Sequence, residues 1–513
     1  MDNKILKWNF IFQYGWVITN IINSILLLPF YLKYIHSDTL GIWLATGSIL
    51  SWMLLVDPGV GEVLQQKIAE LRGRNENSEV CKAIGSGFVA SGAILVLSIG
   101  IGLICYGLSG TIINKDIHSY EYLPSALMVS VVAAALSLLS FSLTGINQGL
   151  HNSAHVAISS LSANFLFLFS NLALLFAGFG VLSIALANLI RSVYINLFNI
   201  ISLLRYLKKQ GLVVIYEKAH FARFIRIFSV TSLSKIISGL SYSVDMIVLA
   251  RYLPVPAMIT TYEVNKRPIN VLWSLVGRHS VALMPLISHS KGKGDKDAIM
   301  ALVNRHFRIY AYASIFLSLG FLFNHENLIT LWTGPGKFAG NTILVLMVLG
   351  FFFSLICYFM SIVGYALGDI KMNSVYGIVR NICYGGFMFF AAKYYGIIGT
   401  LVVNLCITVL ADYFFFNYRM HKLGYFDKGL LFTSLKAWAF LIPGGLLFGW
   451  LSHKVFEQVL PATSYLLKLL ANGSLFTAVF LMMVLLIDKD MRFLFKKNTN
   501  RFVVAPLHKL LRA

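Results

Sequence analysis

Long apolar stretches alternate with short polar stretches along almost all of the chain's 513 residues. An α-helix crosses the ~30 Å hydrocarbon core of a bilayer with about 20 mainly apolar residues. The apolar stretches have about this length, so the pattern predicts an all-α polytopic membrane protein with about fourteen transmembrane helices. The predicted helices span residues 10–33, 40–62, 84–108, 123–147, 155–177, 181–204, 227–250, 258–288, 307–324, 341–364, 374–395, 397–418, 430–451 and 465–487.

The eighth segment, residues 258–288, carries charged residues at helical spacing. Glu263, Arg267 and Arg278 fall on one face of the predicted helix, and Lys266 lies beside them. A charge that faces lipid at the bilayer centre costs from ~3 to over ~10 kcal/mol, so we expect this stripe to face protein or water. One interpretation is a structural ion pair between Glu263 and Arg267. The other, favoured by three cations against one anion, is the cationic wall of a substrate cavity.

Two further basic residues lie within predicted helices and are candidates to bind an anionic substrate. Arg191 lies near the middle of the sixth helix, too deep for its side chain to reach the membrane surface easily. Lys235 lies in the seventh helix, where it either contributes to the same site or pairs with a neighbouring residue. Arginine suits a phosphate group because its guanidinium forms two parallel hydrogen bonds with it.

Three acidic residues are candidates for coupling to a proton or a sodium ion: Asp57, Asp245 and Glu263. Asp57 precedes Pro58 and Gly59, which interrupt a helix, so it fits the cap of a broken helix equally well. For Asp245, as for Lys235, the structural alternative is a pair with a neighbouring residue.

Uncharged polar residues form a stripe on the first predicted helix, and one more lies in the charged stripe of the eighth. Such residues either line a polar cavity or form interhelical hydrogen bonds worth ~0.6 kcal/mol each. The residues expected to line a cavity are Asn9, Gln13, Asn20 and Asn270.

The formal charge of +21 is distributed unevenly among the predicted loops. Most lysines and arginines fall in loops on the side of the two termini, including the basic linker 206–226 and the tail after Asp488. About six lie in the opposite loops: Lys33, Lys115, Arg251, Lys337, Lys393 and Lys454. By the positive-inside rule, both termini are expected to be cytoplasmic. The charge is thus an orientation signal, and no basic patch interleaved with aromatic residues indicates nucleic-acid binding.

Similar residues recur in the two halves of the chain at a nearly constant separation. The matching pairs are Lys33 with Arg251, Arg72 with Lys291, Gly145 with Gly364, and Gly180 with Gly396, at offsets of 218, 219, 219 and 216. The pattern predicts two six-helix lobes that form a parallel repeat about an axis along the membrane normal. The predicted domains are an N-lobe (1–205), a basic cytoplasmic linker (206–226), a C-lobe (227–418), two C-terminal helices (419–487) and a basic cytoplasmic tail (488–513).

The composition fits a membrane protein, and the sequence contains no motif typical of an enzyme. Hydrophobic residues make up 58% of the chain and charged residues 12%. The five cysteines have no paired spacing, so we expect neither a disulfide nor a metal site. No phosphate-binding loop, paired-histidine motif or nucleophile elbow is present, and the predicted outside loops are short. We therefore expect no catalytic activity and no cofactor.

Several short motifs resemble the polysaccharide-exporter branch of the multidrug/oligosaccharidyl-lipid/polysaccharide transporter superfamily, specifically the Wzx-type O-antigen flippases. The similarity covers most of the chain through Arg419. The two helices after Arg419 are a departure, since many members lack them. The residues that carry the resemblance are Leu28-Pro29-Phe30-Tyr31, Gly41-Ile42-Trp43, Asp57-Pro58-Gly59, Pro285-Leu286-Ile287-Ser288 before Lys291-Gly292-Lys293, and the helix openings at Gly180 and Gly396.

This resemblance implies a MATE-like fold and a flippase of the bacterial inner membrane. Its substrate would be undecaprenyl-diphosphate-linked oligosaccharide, an O-antigen or other unit of lipopolysaccharide and polysaccharide biosynthesis, moved to the periplasmic leaflet by alternating access. H+ or Na+ would be the coupling ion. A second class is a MATE-like drug antiporter, but an organic cation would need an acidic cavity. A third, a membrane glycan polymerase or ligase, would need a large ordered outside loop that the sequence lacks.

Overall fold

The computed structural model describes residues 3–57, 60–150, 152–218, 244–292, 295–425, 428–461 and 464–493. Within these ranges nearly every residue is helical and no strand is present. Short 3-10 segments cover Ser51–Val56 and Ile117–Ser119, and a π-helical segment covers Ile407–Tyr413. The α-helices are α1 (Asn3–Tyr34), α2 (Ser37–Leu50), α3 (Val60–Gly73), α4 (Asn77–Ile113), α5 (Leu123–Gly149), α6 (Ser153–Phe176), α7 (Val181–Gln210), α8 (Val244–Tyr252), α9 (Ala257–Gly292), α10 (Lys296–Thr333), α11 (Asn341–Ala366), α12 (Ile370–Cys406), α13 (Phe414–Leu423), α14 (Lys428–Val459) and α15 (Tyr465–Ile487).

Nine helices of the described ranges are long and apolar enough to cross a membrane. One of them, Lys371–Leu423, is 53 residues long and contains two of the predicted spans. Three more predicted spans correspond to α1, to α2 with α3, and to the charged helix α9. The predicted span 227–250 lies mostly outside the described residues. The structure thus confirms an all-α, multi-pass membrane protein.

The helical run Lys371–Leu423 changes direction at Gly396. This residue has φ 55° and ψ −135°, a backbone conformation that a side chain would strain. The sequence places a helix opening at the same glycine, and the structure confirms a break there. The two predicted spans are therefore separated by one non-helical residue and no loop.

The predicted span 40–62 corresponds to α2, a 3-10 segment and the beginning of α3. Helical structure stops at Val56 and resumes at Val60, as Pro58 predicts, but α3 then continues to Gly73. Hydropathy misses this extension because α3 is amphipathic. Its apolar residues recur every three or four positions and pack into a buried core, while polar residues occupy the other face.

The residues divide into two compact units by their internal contacts. The first contains residues 1–262 and 377–400. Its core joins α3, α4, α5 and α7 around Leu64, Ile84 and Ile146, all fully buried. Where α3 crosses α5, Gly61 and Gly145 lie backbone to backbone, and a Cβ on either would collide with the other helix. Two glycines therefore set the distance between these helices.

The second unit contains residues 263–376 and 401–513. Its core is rich in aromatic side chains from α10, α11, α14 and α15, with Phe307, Tyr310 and Phe359 almost completely buried. Phe316 of α10 stacks on Phe476 of α15, with ring centroids 5.8 Å apart. The two C-terminal helices are thus packed into this core. The division into lobes 1–205 and 227–418 concerns an internal repeat and stays a prediction.

Candidate functional site

The charged stripe predicted on residues 258–288 lies on the single long helix α9. Glu263, Lys266 and Arg267 are half-buried, whereas Asn270 and Arg278 are exposed. Among the described residues, Arg278 forms no ion pair. The stripe therefore changes along the helix, from half-buried charges near its start to an exposed arginine further on.

Glu263 and Arg267 form the ion pair that the sequence allows. Arg267 Nε lies 3.4 Å from Glu263 Oε1, and their side chains are 19% and 16% exposed. Residues four apart on a helix meet in this way, and the arrangement of Glu before the cation is the favourable one. The carboxylate is thus occupied by one of the three cations, so the helix keeps a surplus of positive charge.

The opposite face of α9 near Arg278 is fixed by packing against α10 and α11. The Tyr310 hydroxyl donates to the carbonyl oxygen of Val276, and Ser280 Oγ lies 2.5 Å from the same hydroxyl. Trp273 packs on Tyr358, with ring centroids 4.7 Å apart. These contacts fix the rotation of α9 about its axis, so that Arg278 is held on the exposed face.

Two histidines beside Arg278 were missed by sequence reasoning. His279 Nε2 lies 3.0 Å from His306 Nδ1 of α10, so one ring donates a hydrogen bond to the other. They lie 27 residues apart in sequence, and no spacing rule relates them. No group of three His, Cys, Asp or Glu side chains that would suit a metal ion occurs in the described ranges.

Asn265, between the charged residues of α9, holds the loop that follows α10. Its Nδ2 donates to the carbonyl oxygen of Lys337 over 2.7 Å, and its Oδ1 accepts from the Ala339 amide over 3.2 Å. The loop contains Gly334, Gly336 and Gly340, all at positive φ, which allows its tight course. One buried amide thus ties this glycine-rich loop to the charged helix.

The structure describes one of the two other basic candidates. The Arg191 guanidinium of α7 lies 5.9 Å from the centre of the Phe167 ring of α6, a cation–π distance. Lys235 lies outside the described residues. A role for either residue in binding stays a prediction.

Both remaining acidic candidates have hydrogen-bond partners. Asp57 Oδ1 accepts from the Val60 amide over 2.9 Å and so caps the first turn of α3. Asp245, 4% exposed, accepts from the Tyr262 hydroxyl over 2.9 Å. These contacts agree with the structural alternatives given for the two residues. Their roles in ion coupling stay predictions.

The polar stripe of α1 makes hydrogen bonds with α6. Asn23 Nδ2 donates to the Asn164 carbonyl oxygen over 3.2 Å, and Asn164 Nδ2 donates to Thr19 Oγ1 over 2.8 Å. At the other end, Asn171 Nδ2 donates to the Tyr31 hydroxyl over 2.7 Å. This part of the stripe therefore joins two helices.

The predicted cavity-lining residues themselves are only partly described. The side chains of Asn9 and Gln13 lie outside the described residues. Asn20 is half-buried and Asn270 is exposed.

Comparison with known proteins finds similarity in structure. No protein-family model and no curated protein sequence matches the chain. The chain is similar to the lipid II flippase MurJ in an inward closed conformation, with 16% identity and a TM-score of 0.67 over 95% of this chain and 99% of that one.

Two transporter structures are also similar. An inward-facing multidrug resistance MATE family transporter of the MOP superfamily matches with 14% identity and a TM-score of 0.60, over 80% of this chain and 95% of that one. The Vibrio cholerae MATE transporter VcmN in the bent form matches with 16% identity and a TM-score of 0.52, over 83% and 99%. At such low identity the likeness concerns the fold. The chain therefore has the polytopic helical fold found in the lipid II flippase MurJ and in these MATE transporters.

Proposed function

We propose that this protein is a flippase for an undecaprenyl-diphosphate-linked oligosaccharide, such as an O-antigen or other surface polysaccharide unit. It would move this substrate from the cytoplasmic to the periplasmic leaflet of a bacterial inner membrane, with both termini in the cytoplasm. The observation that carries the proposal is the surplus of positive charge on α9, with three cations and one carboxylate on and beside one stripe. The similarity to a lipid II flippase agrees with a lipid-linked substrate.

The cations of α9 have the chemistry that a diphosphate requires. Arg267 is paired with Glu263, and Arg278 is exposed without an ion-pair partner among the described residues. A diphosphate offers several oxygens to guanidinium groups and balances their charge. In this proposal Lys266, Arg267 and Arg278 bind the diphosphate, and Arg191 or Lys235 assists.

The two parts of an amphiphilic substrate fit two different environments, the polar site and the bilayer. The polyprenyl tail stays in hydrocarbon while the charged head group crosses through a polar cavity by alternating access. This route avoids moving the glycan through lipid. Coupling to H+ or Na+ through Asp57, Asp245 or Glu263 belongs to the same proposal.

The main alternative is a MATE-like antiporter of small molecules, which the similar MATE transporters favour. An organic cation would be repelled by the positive stripe on α9, because like charges in a low-dielectric site cost several kcal/mol. The two functions therefore differ in the charge of the substrate that binds.

Purified protein in proteoliposomes separates the two functions. A fluorescent glycan on a polyprenyl diphosphate should cross the bilayer, and a cationic dye such as ethidium should not. Arg278→Glu should abolish glycan transport, whereas Arg278→Lys should keep part of it if charge matters more than the guanidinium geometry.

A matched control is the reversal of another arginine within a predicted span. Arg380 of α12 lies over the Tyr384 ring at 4.7 Å and is not part of the stripe. Arg380→Glu should leave transport largely intact. Transport of the dye and not of the glycan, or equal effects of Arg278→Glu and Arg380→Glu, would contradict the proposal.

A further inference from the structure

A basic cleft lies at one end of α6 and α7, within the first unit. It has a volume of about 540 Å³ and lies where α6 begins and α7 ends. Its polar lining includes Asn152, His155, Ser202, Arg205, Tyr206 and Lys209. The positive-inside rule places this end of both helices on the cytoplasmic side. All of its described lining residues belong to the first unit, whereas the charged stripe of α9 belongs to the second.

Positive charge dominates the polar part of this cleft. Arg205 and Lys209 are exposed, and neither forms an ion pair with a described carboxylate. Arg72 of α3 lies next to the cleft: its guanidinium is 5.6 Å from the centre of the Tyr206 ring and donates to the Leu150 carbonyl oxygen. The N-terminus of α6 adds a partial positive charge from its unpaired backbone amides. An anion is therefore the complementary ligand.

The wall between the two helices is fixed by hydrogen bonds. Asn152 Nδ2 donates to Ser202 Oγ over 2.8 Å and to Asn147 Oδ1 over 3.1 Å. Ser202 is buried and thus has a fixed position. Its hydroxyl proton is not used by the bond from Asn152, so it is free to donate to an anion in the cleft.

The remainder of the cleft is apolar. Phe198 and Ile201 line it, about two turns and one turn before Arg205. Beyond them α7 exposes Leu197 and α6 exposes Ile158, at 55% and 51%. The lining therefore changes from cationic at the helix ends to apolar toward the middle of the helices. A ligand that fits this gradient carries an anionic head group and hydrocarbon chains.

We propose that this cleft binds the phosphate head group of an acidic phospholipid of the cytoplasmic leaflet. Arg205 and Lys209 bind the phosphate, Ser202 donates to it, and the acyl chains follow Ile201 and Phe198 along the helices. Basic pockets between transmembrane helices on the cytoplasmic side are a recurring mode of lipid recognition. The site is independent of the proposed flippase function, since it shares no residue with the α9 stripe.

The chain provides a matched pair of variants for a test. Lys208 and Lys209 are neighbours in the last turn of α7 and both are exposed, but only Lys209 lines the cleft. The full-length protein in detergent is titrated with phosphatidylglycerol or phosphatidylcholine, and bound lipid is counted by native mass spectrometry. We expect Lys209→Gln to weaken phosphatidylglycerol binding about fivefold and Arg205→Gln with Lys209→Gln about thirtyfold. Lys208→Gln and all phosphatidylcholine titrations should change little.

Two competitors identify the source of the phosphate. Inorganic phosphate at millimolar concentration should not displace phosphatidylglycerol, because it lacks the chains that contact Ile201 and Phe198. A polyprenyl diphosphate carries one hydrocarbon chain instead of two, so it should not displace phosphatidylglycerol at equal concentration. Displacement by either competitor would overturn the assignment to a phospholipid. Equal losses in Lys208→Gln and Lys209→Gln would also overturn it, because general surface charge would then explain the binding. An unchanged melting temperature in lipid-free detergent shows that each variant is folded.

Discussion

The ion pair of α9 gives a direct way to separate structural charge from substrate-binding charge. Arg267→Gln alone leaves Glu263 half-buried without its partner. Breaking an exposed pair costs ~0.5 kcal/mol and breaking a buried one costs about 3–5 kcal/mol. At 19% and 16% exposure this pair lies between these limits, so we expect a loss of about 2 kcal/mol. Replacing both residues by Gln should restore most of it, since no unpaired charge remains.

The variants should rank differently in their loss of transport than in their loss of stability. If Arg267 binds the diphosphate, the double variant is stable but still lacks this cation. A hydrogen bond to a charged group contributes about 1.5–3 kcal/mol, which corresponds to a ten- to hundredfold loss of substrate affinity. Arg278→Gln should lose transport to a similar extent without loss of stability, because Arg278 is exposed and has no described ion-pair partner.

The assay combines thermal unfolding in detergent with the proteoliposome measurement of glycan transport, on the wild type, both single variants, the double variant and Arg278→Gln. Arg380→Gln serves as the control. Normal transport in the double variant and in Arg278→Gln would refute the binding role and leave α9 as a structural helix.

Three further predictions concern topology and packing. Cysteines introduced at positions 116, 330 and 456 should label from the periplasmic side, and those at 75 and 210 from the cytoplasmic side; periplasmic labelling at 210 would reverse the orientation derived from the basic loops. Asp369→Asn should lower the free energy of unfolding by about 3–5 kcal/mol, because it breaks a buried bidentate ion pair with Arg419 whose N–O distances are 2.7 and 2.5 Å. The loss should appear as a lower melting temperature, and Arg419→Lys should cause part of the same decrease. Gly145→Ala should cost about 1–3 kcal/mol through its collision with α3, whereas Gly92→Ala, which meets nothing within 4 Å, should not lower the melting temperature.

The sequence was most informative about the membrane helices. A long apolar stretch has few alternatives to a helix within a bilayer, because every backbone polar group must be satisfied internally. The interruption of the helix after Val56 could also be predicted, since proline restricts the backbone locally. Both predictions depend on residues that are close in sequence, and both agree with the structure.

The hydrogen-bond partners of polar residues could not be predicted from residues close in sequence. The stripe of α1 has the same pattern whether it lines a cavity or joins another helix. Its partners Asn164 and Asn171 are separated in sequence from the residues they contact, Thr19 and Tyr31, by 145 and 140 positions. The bond from Asn265 to Lys337 and the contact between His279 and His306 are likewise set by tertiary packing. Periodicity thus identifies a polar face but does not identify what covers it.

Three other cations near the ends of predicted spans are paired with carboxylates. Lys468 Nζ lies 2.8 Å from Glu457, Arg308 Nη2 lies 2.8 Å from Asp490, and Arg419 is bound by Asp369. Arg278 is different, since no described carboxylate pairs with it. Under the proposed function, the diphosphate is its missing counter-charge.

An acidic residue placed one turn before Arg278 should therefore compete with the substrate. Ser274 lies four residues earlier and is half-buried, and its hydroxyl donates to the Val271 carbonyl oxygen of its own helix over 2.8 Å. Ser274→Glu puts a carboxylate in the favourable i, i+4 position, which stabilises an isolated pair by about 0.2–0.5 kcal/mol. We expect it to keep the melting temperature and to reduce glycan transport at least tenfold, while Ser274→Gln, of equal size and no charge, transports normally. If Ser274→Glu and Ser274→Gln transport equally well, the positive charge of Arg278 does not bind the substrate.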